Sequence, residues 1–377
     1  MADTPDVSYA PTEEQELIAS TARQFVEDRI GLDKVRESMM SDDGFDPVLW
    51  KEMAEMGWTG LGIGEEHGGS GLSPVDMGVL LEEMGRLVTP GPFFASAVLA
   101  TTTIQELASA DQRAELLPAL ASGETIATVA VFESARDWSL EQPKTEAKRS
   151  AGGWVLEGNK RAVLNGADAG LLLVTAATED GVGVFVVDAR ADGVAVTPES
   201  VLDPTRRQAS VTFDGVSLSD DARLGEGDAG PGLGHVLALA TTAMAAEQVG
   251  GAQRCLELSV DYAKSRYQFG RPIGSYQAIK HRCANMLMKV EHARSAAYHA
   301  ARVTDVPDEF AIAAPLAGSV ASEAYVWVAG ETIQVHGGIG FTWEHDAHIY
   351  LKRAKASSLL LGGPRHQRSL MGSAIGI

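Results

Sequence analysis

The chain has 377 residues, 45% hydrophobic and 22% charged, with a formal net charge of −20. That length exceeds one ordinary core and suits two or three domains of globular composition. The acidic balance excludes a nucleic-acid or polyanionic partner, which needs clustered cations, but leaves room for an anionic small molecule met by a few local ones.

The N-terminus MADTPDVSYA lacks the basic and apolar regions of a signal peptide. No apolar run reaches the roughly eighteen residues of a membrane span. The expectation is a cytoplasmic protein with no membrane span, unstructured only before Thr12. Thr12 and Gln15 form a capping box that opens a helix, along which Ile18, Ala22, Phe25 and Val26 recur at helical spacing. Further helices are expected over 46–57, 74–88, 93–108 and 111–121. Between the first two of these lies GWTGLGIGEEHGGSGLS, with seven glycines from Gly57 to Gly71. No GK[ST] ending and no GxGxxG follows, so a buried turn fits better than a phosphate cradle.

From about Glu124 to Leu224 the pattern changes to short β-rich runs separated by Gly, Asp and Asn, the spacing of an antiparallel sandwich or small barrel. Helices return over about Gly232–Arg266, Ser275–Val303 and 308–335, with shorter ones after His345. Ile279, Cys283, Met286 and Val290 share one face of the second, as in a bundle. The domains expected are 1–122, helical; 123–226, β; and 227–377, helical. Cys255 and Cys283 have no CxxC spacing and read as buried free thiols.

One break stands out. YAKSRYQFGRPIGSYQAIKH (262–281) interrupts two helices at Phe269-Gly270-Arg271-Pro272. A helix corner needs only the glycine and the proline, yet Arg266, Gln268, Arg271 and Gln277 surround it, which points to a ligand.

The order of domains, together with LGIGEEHGGSGLS (61–73), YAKSRYQFGRPIGSYQAIKHRCANM (262–286) and QVHGGIGFTWEHDAHIYLKRAK (334–355), resembles the acyl-CoA dehydrogenase family over nearly the whole chain. The resemblance implies an α+β multidomain fold: an N-terminal α-helical domain, a middle antiparallel β-sandwich or barrel and a C-terminal four-helix bundle, assembled as a tetramer around FAD. It implies that Arg266 meets the FAD pyrophosphate, with Gln268, Phe269 and Gln277 beside it. Gln334, Val335, Gly337 and Gly338 would meet the adenosine half, in a flavin held mainly by the neighbouring subunit. Guanidinium forks suit phosphate oxygens, and glycine pairs allow close backbone approach. An acyl-CoA substrate and an electron-transfer flavoprotein as acceptor follow from the same resemblance.

The catalytic pattern departs from the family. Its reaction needs a carboxylate against the acyl α-carbon, but Gly362 stands where the family's terminal glutamate should be and Pro364 replaces the following threonine. Ala240 occupies the alternative base position. Glu247 lies seven residues beyond Ala240, about 10 Å along the helix. Among Ala245, Ala246, Val249 and Gly250, a buried glutamate would have a raised pKa, as a general base often does; a structural hydrogen bond is the other reading. Ala162, Val163 and Leu164 replace the family's flavin-facing Trp-Ile-Thr stretch, and VFESARDWS (131–139) replaces its usual loop.

Three functions follow from this. The first is FAD-dependent α,β-dehydrogenation of a branched or bulky acyl-CoA. The second is a non-catalytic partner subunit completing the FAD site of a paralogue, as in hetero-oligomeric steroid-type relatives, and the third a flavin monooxygenase on the same scaffold. Homo- and hetero-tetramers both remain open. Glu344, His345, Asp346 and His348 cluster without metal-ligand spacing and read as polar residues at a helix start. In DPTRR (203–207), Arg206 and Arg207 read as surface cations of a β turn, and Asp221 and Asp228 as turn residues around Gly225.

Overall fold

The computed structural model describes residues 10–134, 138, 140 and 142–377. The first nine residues and much of the 131–139 stretch lie outside the described residues. Helix α1 (Glu13–Phe25) opens with the expected capping box, the Thr12 hydroxyl accepting from the Gln15 backbone and Gln15 closing back on Thr12. A π-helical turn (Val26–Ile30) leads to α2 (Gly31–Met40), followed by α3 (Pro47–Glu55) and α4 (Pro74–Arg86). The glycine-rich stretch between α3 and α4 buries Leu61 and Ile63 and holds one short 3₁₀ turn, Glu65–His67. Another π-helical turn, Phe94–Ala100, runs into α5 (Thr101–Leu107), and α6 (Ala110–Ala121) closes the domain.

The middle region has β1 (Ala127–Ala130), β2 (Glu146–Ser150), β3 (Gly153–Leu164), β4 (Leu171–Thr178), β5 (Gly181–Asp188), β6 (Val194–Pro198) and β7 (Gln208–Leu218). They form one seven-stranded sheet in the order β1-β4-β2-β3-β7-β6, with β5 also on β4. Most neighbours are antiparallel, as the short turn-separated runs predict, but β4 pairs in parallel with β1 and with the start of β2. The β3–β7 register slips between Lys160 and Val163, where Ala162 takes a left-handed backbone (φ 53°), the signature of a bulge.

The last region is built on α7 (Gly230–Ser265). A two-residue hairpin, β8 (Tyr267–Gln268) and β9 (Arg271–Pro272), leads into α8 (Gln277–Arg302), α9 (Pro307–His336), α10 (Ala347–Leu360) and α11 (Gly363–Ala374). Met286 and Val290 of α8 are buried, as the shared face requires, whereas Cys283 and Ile279 are only half-buried. The thiols are free; burial pushes Cys255 up to about 12. The stretch Pro307–Phe341 is long and apolar enough to cross a membrane by length and composition, but 61% of the apolar 18-residue segment within it is buried inside the fold. Alanines such as Ala314, Ala317 and Ala321 let α9 sit at the centre of the bundle.

Helices α4 and α7 approach backbone to backbone. A Cβ on Gly85 would stand 2.1 Å from the Glu247 carbonyl oxygen, and one on Gly250 would stand 1.8 Å from that of Glu82. This contact fixes the first domain against the last and carries Glu247 into the interior.

Candidate functional site

Three constellations bear on function. The first is buried. Glu247 of α7 receives Arg206 Nη2 on one oxygen and Arg353 Nη1, at 2.8 Å, on the other. Arg353, from α10, also donates to Asp203 (2.7 Å), to the Thr205 hydroxyl (2.6 Å) and to the Val88 and Thr89 carbonyls. Arg206 lies under Phe94 and donates to Ser357 at 3.2 Å. The network therefore joins the chain after α4, the β6–β7 loop and two bundle helices.

Two expectations are corrected here. Arg206 is no surface cation but a core residue, 6% exposed. Glu247 is indeed buried, and burial alone would raise its pKa. The two guanidiniums outweigh that and hold the carboxyl below its usual range. A carboxylate held by an arginine on each oxygen is a weaker base than a free one. The structural alternative for Glu247 is the one its surroundings favour. Arg207 remains at the surface, donating to the Ser41 and Asp42 carbonyls.

The second constellation is exposed. Phe269 (φ 53°) and Gly270 (φ 78°) both take left-handed conformations at the tip of the β8–β9 hairpin, the two-residue turn that suits the twist of the flanking strands. A phenylalanine there is strained, and its side chain is 92% exposed. Arg266 caps α7 through its backbone N–H on the Tyr262 carbonyl, and among the described residues its guanidinium has no partner. Gln268 and Gln277 are exposed beside it, while Arg271 stacks over Tyr276, 4.0 Å from the ring centre. Gln334, Gly337 and Gly338 are exposed at the end of α9, with open space where Cβ atoms on either glycine would sit. Val335 differs: its side chain turns inward and is buried, so it offers no side chain to a ligand. The end of α9 is braced by His336, whose ring lies 4.4 Å from both Tyr262 and His345.

The residues after His345 are less free than a solvated helix start. Asp346 pairs with Arg36 of α2 at 2.7 Å, and the His345 ring accepts from the Ala347 backbone at 3.1 Å. Among the described residues no metal-binding cluster occurs. Asp228 keeps its turn role, accepting from Val182 and Gly230 backbones at 2.9 and 3.1 Å.

The third constellation is a cavity of about 770 Å³ between the sheet and the bundle. Phe132 and Val182 bound it on one side, Leu237 and Thr241 of α7, Pro315 of α9 and Leu361 on the other. Thr241 and Leu361 line it, but their chain neighbours Ala240 and Gly362, the expected base positions, do not, and Ala240 is fully buried in the core. Neither carries a carboxylate. The chain around Phe132 is fixed by Lys160, a fully buried lysine that donates to the Val131 carbonyl (3.0 Å), Glu133 (2.8 Å) and Thr175 (2.9 Å). Burial lowers Lys160 to about 8, while Glu133, burial notwithstanding, is brought to about 2 by Lys160 and the Thr145 and Lys144 backbone N–H groups. In the stretch aligned with the family's flavin-facing residues, Val163 and Leu164 are buried in their own cores and Ala162 is half-buried.

Comparison with known proteins agrees with this architecture. The acyl-CoA dehydrogenase N-terminal domain matches residues 12–124, the middle domain 130–216 and the C-terminal domain 235–376. Acyl-CoA dehydrogenase IpdE2 of Mycolicibacterium smegmatis is 38% identical over 359 residues, covering 94% of this chain and 97% of that protein. The chain belongs to the acyl-CoA dehydrogenase family. Among solved structures, the Tcur3481-Tcur3483 steroid ACAD, in a variant form, is similar with a TM-score of 0.88 and 33% identity, covering 96% of this chain and 98% of that one. The ChsE4-ChsE5 complex from Mycobacterium tuberculosis gives 0.89 and 28%, with 98% and 99% covered. The family's members are flavoprotein oxidoreductases acting on CH–CH bonds, with FAD as cofactor. Sequence reasoning missed the partners of Glu247, the burial of Lys160 and the residue packed on Gly362.

Proposed function

We propose that this chain serves the α,β-dehydrogenation of a bulky acyl-CoA thioester, with the acyl group in the 770 Å³ cavity. The observation that carries the reading is that cavity: it lies in the upper half of the roughly 300–1,000 Å³ range of ligand pockets, and its walls are mainly apolar. The steroid ACAD among the similar structures accords with a bulky acyl group.

FAD, when bound, supplies the acceptor for the hydrogen leaving the β-carbon. In this chain Arg266 would hold the pyrophosphate, with Gln268, Phe269 and Gln277 beside it, and Gln334, Gly337 and Gly338 the adenosine half. What supports the fit is a guanidinium without a partner among the described residues, a strained aromatic and open glycine backbone, all exposed. These groups are turned outward, as a site shared with a second subunit requires. An electron-transfer flavoprotein would be the acceptor of the reducing equivalents.

A second reading is favoured by a separate observation. Ala162, Val163 and Leu164 offer a flavin ring no polar side chain, and Glu247 is engaged by two arginines. These features support a partner-subunit role in a hetero-oligomer. Visible spectra of the purified protein, before and after anaerobic addition of acyl-CoAs of increasing bulk, separate the two. Bound flavin that bleaches supports the dehydrogenase reading. Colourless protein that acquires flavin only with a paralogous subunit supports the partner reading.

A further inference from the structure

Gly362, next in the chain to the cavity-lining Leu361, does not face open space. Gly362 caps α11 in a left-handed conformation (φ 94°), and a Cβ built on it would stand 2.3 Å from His366 Cδ2 and 2.7 Å from Cγ. The imidazole one helical turn ahead therefore fills the space into which a side chain at 362 would project. His366 also lines the cavity. Among the described residues neither ring nitrogen has a hydrogen-bond partner, in contrast to His336 and His348, which bond to backbone carbonyls.

Among the described lining residues, Asp228 is the other ionisable group. It stands at the rim with one oxygen taken by two backbone N–H groups. From α9 the cavity receives only Ala311 and Pro315, from the chain after β1 Phe132, and from β5 Gly181 and Val182. On α11 itself, Arg365 is exposed and Arg368 is paired with Glu323 at 2.5 Å. Partial burial lowers the pKa of His366, so the ring is neutral near pH 7 and has a lone pair to offer.

We propose that His366 is the proton acceptor of this cavity, standing where a carboxylate at position 362 would otherwise act. The inference rests on the acyl group occupying the cavity. In the step, the α-C–H bond of the thioester breaks and the proton goes to an imidazole nitrogen. The electron pair stays on the α-carbon, delocalised into the thioester carbonyl, and the ring becomes imidazolium. A neutral imidazole is a competent general base near neutral pH.

The test uses the full oligomer with 3,3-dimethylbutyryl-CoA in deuterium oxide. The β-carbon of this thioester has no hydrogen, so exchange at the α-carbon reports the base alone, without oxidation. Wild-type protein should exchange the α-hydrogens, read by mass spectrometry, at a rate that rises with pH as the imidazole loses its proton. His366→Gln should slow exchange by about 10²-fold or more and flatten the pH profile, while calorimetry shows the thioester still bound. Exchange that persists in His366→Gln, or bound thioester that never exchanges in wild type, overturns the assignment and leaves the dehydrogenase reading standing. Failure of wild type to bind the thioester overturns both.

Discussion

Two arginine sites in this molecule have opposite designs. Arg206 and Arg353 are buried and face one glutamate, with Asp203, Thr205 and backbone carbonyls taking most of the remaining donors. Arg266 stands exposed at the end of α7 with no side-chain partner among the described residues, next to a strained aromatic turn. The first set is closed and ties three parts of the fold together. The second is open, beside a phenylalanine held in a left-handed conformation. A charge satisfied from within serves the structure, and the proposed cofactor contact of Arg266 calls for a charge left open.

Substitutions should separate the two in a graded way. Glu247→Ala leaves two buried guanidiniums facing each other and should destabilise the fold by about 3–5 kcal/mol, measured by chemical denaturation. The same carboxyl gives an acid signature. Its folded pKa is depressed, so its contribution is complete above the unfolded glutamate value of about 4.3 and is lost as pH falls toward the folded value. Denaturation midpoints followed downward through that range should drop for wild type and drop less for Glu247→Gln.

Gly362→Glu should cost at least about 1–2 kcal/mol, because a side chain enters a left-handed position and meets the His366 ring. Adding His366→Ala should recover the part due to the clash, a coupling measurable in a double-mutant cycle. Phe269→Gly should leave stability unchanged or raise it by up to about 1 kcal/mol, since glycine accepts the backbone that phenylalanine does not, yet it should weaken flavin retention.

Most of the fold is legible in the sequence because its signals are local. Capping at Thr12, helical spacing along α1 and α8, turn-separated β runs and the Gly-Pro break each lie within a few residues. The exposed surface around Arg266 was legible for the same reason, being one short break and one helix end. Glu247 was not, because its partners come from 41 and 106 residues away and Arg206 sits in a turn that reads as surface. The parallel pairing of β4 is equally non-local. His366 was within reach, since it follows Gly362 at helical spacing, but only the packing of the ring on that glycine singles it out.

The contrast between the closed and open arginines is tested most directly by Arg266→Ala in the flavin-loaded oligomer, measuring flavin content and unfolding free energy on one preparation. Loss of a charged hydrogen-bond donor worth about 1.5–3 kcal/mol should strip flavin on dilution, while stability of the flavin-free fold stays within about 0.5 kcal/mol of wild type. Flavin retained as in wild type, or a fold destabilised as severely as by Glu247→Ala, would contradict the assignment of Arg266 to the cofactor.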